Sequence, residues 1–370
     1  MKVALIHDHL AQDGGAEKVL KVFSDMFPDA PIYTLLYEDK QVTKYFKDRH
    51  IETSIIQKLP GGVKHYQWYL MFMPMAVEFF DLSEYDMVIS DTSSFAKGVI
   101  TKPDCLHICY CHTPTRYLWS DTHQYINELK YNKWFKKIIG MVLCNIRAWD
   151  RLAADRVDVF IANSKTVQDR IVKYYRRNST VIYPPVETDK FSILDLSNQK
   201  NEEKYFLAGC RLAPYKRIDL VIEAFKNLGT DYKLKIFGDG VDLERLKIIT
   251  GEATNIEFLG RVSEEEKVKL FEGAQAFINP QEEDFGITVV ESMAAGRPVI
   301  AYRKGGATET IIEEKTGLFF DAQTSESLEE VLKKFSSYNF DSKEIKAHAE
   351  QFSIKNFTEQ IEEFISAHKK

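Results

Sequence analysis

The sequence predicts an α/β protein of two doubly wound domains, each a parallel sheet covered by helices. Three observations predict this fold class. Short apolar, β-branched segments alternate with amphipathic segments of ten or more residues along most of the chain. A polar stretch after Tyr183 interrupts the alternation once. The 370 residues also exceed the roughly 250–300 residues at which a single hydrophobic core stops growing.

The predicted first domain comprises residues 1–186, in which strands alternate with segments of helical periodicity. Its predicted strands are Val3–His7, Ile32–Tyr37, Met87–Asp91, Leu106–Cys111, Val159–Asn163 and Val181–Tyr183. Pro184 and Pro185 then begin a stretch of turn-forming and polar residues with little periodicity. Residues 187–203 are therefore predicted to link the two domains.

The predicted second domain comprises residues 204–350, and 351–370 form a final helical segment. The predicted strands of this domain are Tyr205–Gly209, Leu234–Phe237, Ile256–Leu259, Ala276–Asn279, Val299–Ala301 and Gly317–Phe320. Open α/β sheets bind ligands outside the carboxyl ends of their strands. We therefore expect two domains that face a central cleft, lined by the loops that follow the strands.

Composition disfavours several classes of protein. The net charge of −6 falls almost entirely on residues 196–370, and there is no basic stripe outside one helix, which argues against nucleic-acid binding. No apolar leader precedes the first strand, so we expect a cytoplasmic chain with reduced thiols. His107, Cys109, Cys111 and His112 could suggest a metal site. Strand alternation and the lack of a second ligand pair favour structural thiols instead.

Gly14 and Gly15 follow the first predicted strand and precede a helical run from Ala16 to Phe27. Glycines at a helix N-terminus let backbone N–H groups approach a phosphate closely. A plain glycine turn before a helix fits the pattern equally well. The three-glycine spacing of dinucleotide-binding loops is missing, which disfavours hydride-transfer enzymes.

A loop with three cations follows the first strand of the second domain and contains Arg211, Lys216 and Arg217. Arg offers a planar fork of donors and Lys a mobile point charge, so this loop could hold a diphosphate. A solvated basic turn is the alternative.

The strongest signal is an acidic loop that follows the predicted strand ending at Asn279 and precedes a helix beginning near Gly286. The first N–H groups and the dipole of that helix favour a pyrophosphate. Glu283 lies before the helix and Glu291 within it, and carboxylates can accept hydrogen bonds from sugar and ribose hydroxyls. Tuning of the helix-end charge is the alternative role for both residues.

These motifs together resemble the retaining GT-B glycosyltransferases of family 4, and the resemblance covers nearly the whole chain. Glu283 and Glu291 match the paired-glutamate motif, Arg211 and Lys216 match the Arg and Lys pair, and Phe258-Leu259-Gly260-Arg261-Val262 matches the base-binding loop. The resemblance implies the GT-B fold of two Rossmann-like domains. It also implies a final helix that returns to the N-terminal domain.

The resemblance further implies the roles of the side chains. Arg211 and Lys216 would neutralise the donor diphosphate, so neither a metal nor another cofactor is expected. Glu283 would hold hydroxyls of the donor sugar, and Glu291 would bind the ribose. His112, in the run Tyr110-Cys111-His112-Thr113-Pro114, would face the donor sugar and the acceptor, although a lone histidine after a strand is more often structural.

The remaining implied contacts to the donor come mainly from the backbone. They are assigned to Gly14, Gly15, Gly260, Arg261, Val262, Phe285, Gly286, Ile287 and Thr288. The implied mechanism is front-face displacement through an oxocarbenium-like transition state, in which the protein supplies position and charge.

Three further runs resemble bacterial mannosyltransferases that build O-antigen or capsule: Cys111–Trp119, Arg147–Asp150 and Tyr183–Val186. This suggests GDP-mannose as donor and a glycan or lipid-linked glycan as acceptor. A UDP-sugar-dependent transferase of the same family and a nucleotide-sugar 2-epimerase are the alternatives, because a fold does not fix a function.

Residues 130–151 contain six cations and one acid, interleaved with apolar side chains. A basic amphipathic helix of this kind can lie on an anionic membrane surface, which would place the chain at the inner face of the plasma membrane. The alternative is an ordinary domain helix that packs its apolar side inward.

Overall fold

The computed structural model describes residues 1–11, 14–38, 45–195 and 204–369. The chain divides into two compact units, Met1–Tyr183 with Thr358–Lys370, and Pro184–Phe357. Part of the predicted linker, residues 196–203, lies outside the described residues. The described part of that linker contains a short 3-10 helix, Thr188–Lys190.

The first unit is built around a parallel sheet with the strand order β3-β2-β1-β4-β5-β6-β7. The strands are Val3–Leu10 (β1), Ile32–Tyr37 (β2), Ile51–Thr53 (β3), Met87–Thr92 (β4), Leu106–Cys111 (β5), Val159–Ala162 (β6) and Ser179–Val181 (β7). The helices are Gly15–Met26 (α1), Met73–Glu78 (α2), Thr122–Glu128 (α3), Lys133–Ala154 (α4) and Lys165–Tyr175 (α5).

The edge strands of this sheet differ from the sequence prediction. Strand β3 was not predicted, because three residues are too few to show an alternation. The prediction of a strand at Val181–Tyr183 is wrong in its bounds, since β7 begins at Ser179. Ser179 and Thr180 are polar and lie at the sheet edge, where burial does not require apolar side chains.

The second unit contains a parallel sheet with the strand order β10-β9-β8-β11-β12-β13. The strands are Phe206–Gly209 (β8), Leu234–Phe237 (β9), Ile256–Gly260 (β10), Phe277–Asn279 (β11), Val299–Tyr302 (β12) and Gly317–Phe320 (β13). The helices are Ile218–Leu228 (α6), Leu243–Thr250 (α7), Glu264–Gly273 (α8), Ile287–Ala294 (α9), Ala307–Thr310 (α10), Ser325–Lys334 (α11), Ser342–Ala349 (α12) and Ile354–His368 (α13), the last of which continues into the first unit from Thr358.

Each sheet contains one point at which the strand order reverses. In the first unit this point lies between β1 and β4, and in the second it lies between β8 and β11. The predicted α/β class with two Rossmann-like sheets is therefore confirmed. Loops at the carboxyl ends of strands beside such a reversal are where doubly wound sheets bind ligands.

Candidate functional site

A lysine and a glutamate form an ion pair at the strand reversal of the second unit. Lys216 lies in the 3-10 turn Pro214–Lys216 that follows β8, and Glu283 lies in the loop that follows β11. The Lys216 ammonium donates to Oε1 of Glu283. Burial acts to lower the pKa of Lys216, but the charge and hydrogen bond of Glu283, together with Tyr215, raise that pKa above its usual value. Lys216 is therefore protonated at neutral pH.

The loop that follows β8 and contains Arg211, Lys216 and Arg217 is called the cation loop here. Arg211 and Cys210 lie close to the ion pair in sequence, and the interactions of both are defined. A guanidinium nitrogen of Arg211 donates to the Tyr215 hydroxyl at 2.9 Å. The ammonium of Lys216 lies 5.1 Å from the centre of the Tyr215 ring, so a π-face also stabilises the cation. Burial raises the pKa of the Cys210 thiol to about 12, so this cysteine stays protonated and is not a nucleophile.

Gly238 supports the cation loop from the neighbouring strand β9. Its φ of +117° lies in the region that side chains avoid, and a Cβ there would meet the carbonyl oxygen of Cys210 at 1.9 Å. The amide of Leu212 donates to the Asp239 carbonyl at 2.9 Å. Sequence reasoning missed this contact, although the Gly238-Asp239-Gly240 turn after a strand was a signal for it.

The acidic loop is fixed by a second pair of glycines, after β12. The amide of Gly306 donates to the Glu283 carbonyl at 2.8 Å. A Cβ at Gly305 would meet that carbonyl oxygen at 2.2 Å, so only glycine allows the two backbones to approach this closely. The main chain of Glu283 is thus held from one side while its carboxylate faces Lys216.

The helix α9 begins directly after this loop, with Gly286 as its N-cap and Ile287 and Thr288 in its first turn. Phe285, before the cap, is buried and packs edge to face on Phe352, with ring centres 5.6 Å apart. The predicted helix start near Gly286 is confirmed. Its first N–H groups lie next in the chain to the loop that contains Glu283.

Glu291 lies on α9 and is buried, with 4% of its surface exposed. Its Oε1 accepts a hydrogen bond from the ammonium of Lys267 on α8 at 2.7 Å. Sequence reasoning missed Lys267, because no local pattern distinguishes it from other helix-surface lysines. Carboxylate oxygens can accept hydrogen bonds from hydroxyl donors.

The predicted base-binding residues lie at the end of the edge strand β10. The carbonyl of Gly260 accepts from the amide of Gly238 at 2.7 Å, so this strand end is tied to the glycine turn beside the cation loop. Arg261 and Val262 follow in the connection to α8.

In the first unit, His112 is joined to a buried hydrogen-bond network. His112 follows β5, and its Nε2 lies 2.7 Å from Oδ1 of Asp91 at the end of β4. The other oxygen of Asp91 lies 2.9 Å from Nδ1 of His7 on β1. Burial acts to lower the pKa of His7, but hydrogen bonds and charges of Asp91 and Glu17 raise it to about 10.

Gly14 belongs to the same network. It is the N-cap of α1, and its amide donates to Oε2 of Glu17 at 3.0 Å, while Oε1 of Glu17 lies 3.8 Å from Nε2 of His7. Sequence reasoning selected Gly14, Gly15 and His112 but missed the residues that join them. The signal was His7 on β1, beside the strand reversal.

The cysteines are all free, and those on or near β5 (Cys105, Cys109 and Cys111) are buried. Within residues 1–11, 14–38, 45–195 and 204–369, no group of three or more His, Cys, Asp or Glu side chains has the arrangement of a metal site.

Family models match both parts of the chain. The model described as "Glycosyltransferase Family 4" matches residues 14–190, and the model described as "Glycosyl transferases group 1" matches residues 189–366. The two matches overlap at residues 189–190 and together cover the segments that contain Gly14, His112, Lys216 and Glu283.

Two curated relatives illustrate the similarity in sequence. The chain is 25% identical to an alpha-1,3/1,6-mannosyltransferase ALG2 of Dictyostelium discoideum over 65% of this chain and 64% of that one. It is 32% identical to a GDP-mannose-dependent alpha-(1-6)-phosphatidylinositol monomannoside mannosyltransferase of Mycolicibacterium smegmatis over 37% of this chain and 42% of that one.

A solved structure shows the similarity in fold. Anabaena Alr3699/HepE in complex with UDP superimposes with a TM-score of 0.73 and 18% identity over 99% of this chain and 100% of that one. The predicted GT-B fold and the sequence resemblance agree with both family matches. The chain therefore belongs to the GT-B glycosyltransferases of family 4.

Proposed function

We propose that the protein transfers a hexose, with retention of anomeric configuration, from a nucleotide-sugar donor to a glycan or a lipid-linked glycan in cell-surface polysaccharide synthesis. The donor that we propose is GDP-mannose. The Lys216–Glu283 ion pair at the strand reversal, directly before the N-terminus of α9, carries the proposal. It puts a cation, a carboxylate and the N–H groups of a helix start into one connected set of loops.

The charges of this site suit a diphosphate sugar without help from a metal. Arg211 and Lys216 supply positive charge for the diphosphate as it leaves, and the start of α9 adds backbone N–H donors. When the diphosphate binds, it competes with Glu283 for the Lys216 ammonium. The freed oxygens of Glu283 then accept hydrogen bonds from sugar hydroxyls, while Glu291 accepts those of the ribose.

The reaction that we propose is front-face displacement. The bond between the anomeric carbon and the diphosphate breaks, the acceptor oxygen attacks from the same face, and the leaving diphosphate takes the proton of the acceptor hydroxyl. Binding energy aligns the two sugars, and fixed charges stabilise the oxocarbenium-like transition state. His112 is assigned to the donor sugar and the acceptor, as the family resemblance implies.

Two lines of similarity bear on the donor. The relative from Mycolicibacterium smegmatis is described as GDP-mannose-dependent, and the Dictyostelium relative as a mannosyltransferase. The structural neighbour from Anabaena was solved with UDP, which keeps a UDP-sugar as the second candidate. An epimerase of the same fold remains the third candidate.

A binding panel separates these candidates. We expect GDP-mannose to raise the melting temperature in excess EDTA more than UDP-glucose, UDP-GlcNAc or ADP-glucose, because a ligand that binds only the native state stabilises it. A larger shift with a UDP-sugar would overturn the GDP-mannose assignment and keep the transferase. A shift that requires a divalent metal would contradict the roles of Arg211 and Lys216. Conversion of UDP-GlcNAc to its 2-epimer without an acceptor would indicate the epimerase.

We also propose that the helix α4 binds an anionic bilayer surface. Leu143 and Ile146 of α4 are buried in the core, as an ordinary domain helix requires. One turn apart on the opposite side, Trp134, Ile138 and Met141 are 77%, 55% and 70% exposed. No described helix has the length and apolar character to cross a bilayer.

The positive charge of α4 and a neighbouring exposed apolar segment support the binding of this face to an anionic bilayer. Lysines flank the exposed stripe, and none of the residues from 129 to 149 is acidic. The segment Tyr66–Phe79 adds a second stripe of large exposed side chains: Trp68, Met71, Phe72, Met75 and Phe79. The two segments are neighbours, because Trp149 of α4 donates to Glu78 at 2.8 Å and both pack on one core cluster.

Vesicle flotation tests this surface. Reversing the charge of Lys133 and Lys137 to Glu is expected to weaken binding to phosphatidylglycerol vesicles by about tenfold or more, since each surface cation contributes about 1 kcal/mol. Trp134→Ser with Met141→Ser is expected to weaken it by removing apolar insertion. The control reverses Lys333 and Lys334 on α11, both exposed. Equal binding of all variants, or equal binding to phosphatidylcholine, would contradict the proposal.

A further inference from the structure

The buried network of the first unit joins three side chains and is therefore more than a single ion pair. His7, Asp91 and Glu17 come from three elements, β1, β4 and α1, and are 3%, 0% and 2% exposed. They lie at the strand reversal between β1 and β4. One end of the network reaches the Gly14 amide and the other reaches His112.

Hydrogen-bond chemistry determines which ring nitrogens carry protons. The ionised carboxylate of Asp91 can only accept, so it requires a hydrogen on Nδ1 of His7 at 2.9 Å and on Nε2 of His112 at 2.7 Å. With Nε2 of His112 committed to Asp91, Nδ1 is the nitrogen that can bond a sugar hydroxyl. Burial acts to raise the pKa of Asp91, but the hydrogen bonds that its oxygens accept from His112 and His7, and the charge of His7, lower it, which keeps the carboxylate ionised.

The charge on His7 compensates the buried charge of Asp91. An imidazolium at this position lies between the carboxyl groups of Asp91 and Glu17 and removes the cost of burying the Asp91 carboxylate without a counter-charge. The other titratable groups beside His7 either have their own hydrogen-bond partners or are neutral. Asp8 accepts from the amides of Ser93, Phe95 and Ala96, and burial lowers the pKa of His9, so this ring is neutral. Tyr110, on β5, is also buried and neutral, because burial raises its pKa.

We infer that His7 is a positioning residue. Its two ring nitrogens face carboxyl oxygens of Asp91 and Glu17, and it holds Asp91 so that Asp91 fixes the tautomer of His112 and presents Nδ1 to the reacting sugars. Through the shared carboxylate of Glu17, the same imidazolium is linked to the N-cap of α1 at Gly14. The part of this inference that concerns the reaction rests on the proposed glycosyl transfer. The part that concerns protonation does not.

Nitrogen-15 NMR of the histidine rings tests the protonation directly in the full chain. At neutral pH the ring of His7 is expected to give the signals of an imidazolium. His107 is the internal control, because it is buried in the same sheet and burial lowers its pKa to about 4, which gives a neutral ring. His112 is expected to carry its proton on Nε2. A neutral His7, or a proton on Nδ1 of neutral His112, overturns the inference whatever the donor or the reaction proves to be.

The variant Asp91→Asn tests the positioning role. An asparagine amide can donate to Nε2 of His112, so the proton of that ring is expected to move to Nδ1. We expect kcat to fall by about 100- to 10,000-fold, as for the loss of an orienting carboxylate, with donor KM changed by less than about threefold. His7→Gln is expected to lower kcat in the same direction, with an NMR shift at His112. An unchanged His112 tautomer in Asp91→Asn, in a chain that is folded by circular dichroism, contradicts the inference.

Failure of the proposed function and failure of the inference about His7 would give different results. If no donor supports transfer but the NMR assignments hold, the proposed function is wrong and the protonation network stands. If transfer occurs and Asp91→Asn retains normal kcat, the function stands and the positioning role of His7 and Asp91 is wrong.

Discussion

Replacing Glu283 by Gln or Lys216 by Met is expected to lower transfer by about 100- to 1,000-fold, the range seen when one preorganised electrostatic group is removed from an active site. In Glu283→Gln the side chain keeps its shape but loses the charge that pairs with Lys216 and the second acceptor oxygen for sugar hydroxyls. In Lys216→Met the leaving diphosphate loses a cation. Steady-state kinetics with a saturating acceptor measure the loss.

The control for these variants is the ion pair of Lys333 and Glu329 on α11, in which the Lys333 side chain is exposed and the Glu329 side chain is largely buried. Glu329→Gln is expected to leave kcat unchanged. The side chains of Lys216 and Glu283 are only 13% and 25% exposed, so circular dichroism and the melting temperature are measured to show that each variant is folded. Near-normal turnover of either site variant would remove that residue from the mechanism.

Asp150→Asn is expected to lower the free energy of unfolding by about 3–5 kcal/mol, the largest stability effect that we expect from one conservative change. Asp150 and Lys97 are both buried, and the ammonium of Lys97 lies 2.5 Å from Oδ1 of Asp150. The other oxygen of Asp150 accepts from the Trp119 indole at 2.7 Å and the Tyr175 hydroxyl at 2.9 Å. An amide at this position leaves the Lys97 ammonium without its counter-charge.

Urea unfolding of the full chain, followed by the circular dichroism of its helices, measures this loss. The double variant Lys97→Met with Asp150→Leu is expected to recover part of the stability, since removing both charges leaves no buried ion unpaired. The Trp119 indole and the Tyr175 hydroxyl then lose their acceptor, so the recovery of stability is incomplete. A loss below about 1 kcal/mol in Asp150→Asn would show that Lys97 finds another partner or becomes neutral.

Strands in the centre of the sheets could be predicted closely from the sequence. Met87–Thr92 and Leu106–Cys111 have six residues each, begin with apolar residues and are almost fully buried, so their sequence pattern indicates closely where they begin and end. Edge strands such as Ile51–Thr53 are short, and their residues are only partly buried, so local composition does not reveal them. The same physical limit shifted the predicted bounds of β7.

The site residues that could be predicted from the sequence are those whose own type and position in a loop indicate a function. Glu283, Gly286 and Lys216 follow strands and precede helices, so their residue types and positions indicate anion and sugar binding. Lys267, Asp91 and Glu17 were missed because their roles arise from side chains that are 24, 84 and 10 residues away from their partners in sequence. Only folding brings such pairs together.

The helix α4 shows why an amphipathic pattern can have two outcomes. Its sequence permitted either an inward apolar face or a membrane-binding one, and the structure contains both a buried apolar side and an exposed apolar side. Leu143 and Ile146 face the core, whereas Trp134 and Met141 are exposed. A periodicity identifies an apolar face but not the width of that face. In α4 the apolar face is wider than the part that packs against the core.

Transfer from a nucleotide sugar with retention is the central claim, and the anomeric configuration of the product tests it most directly. The protein is incubated with GDP-α-mannose, a lipid-linked glycan fraction and excess EDTA, and the product is analysed by NMR. We expect an α-mannoside, formed without metal and lost in Glu283→Gln. A β-linked product, or a product that forms equally well in Glu283→Gln, would contradict the account.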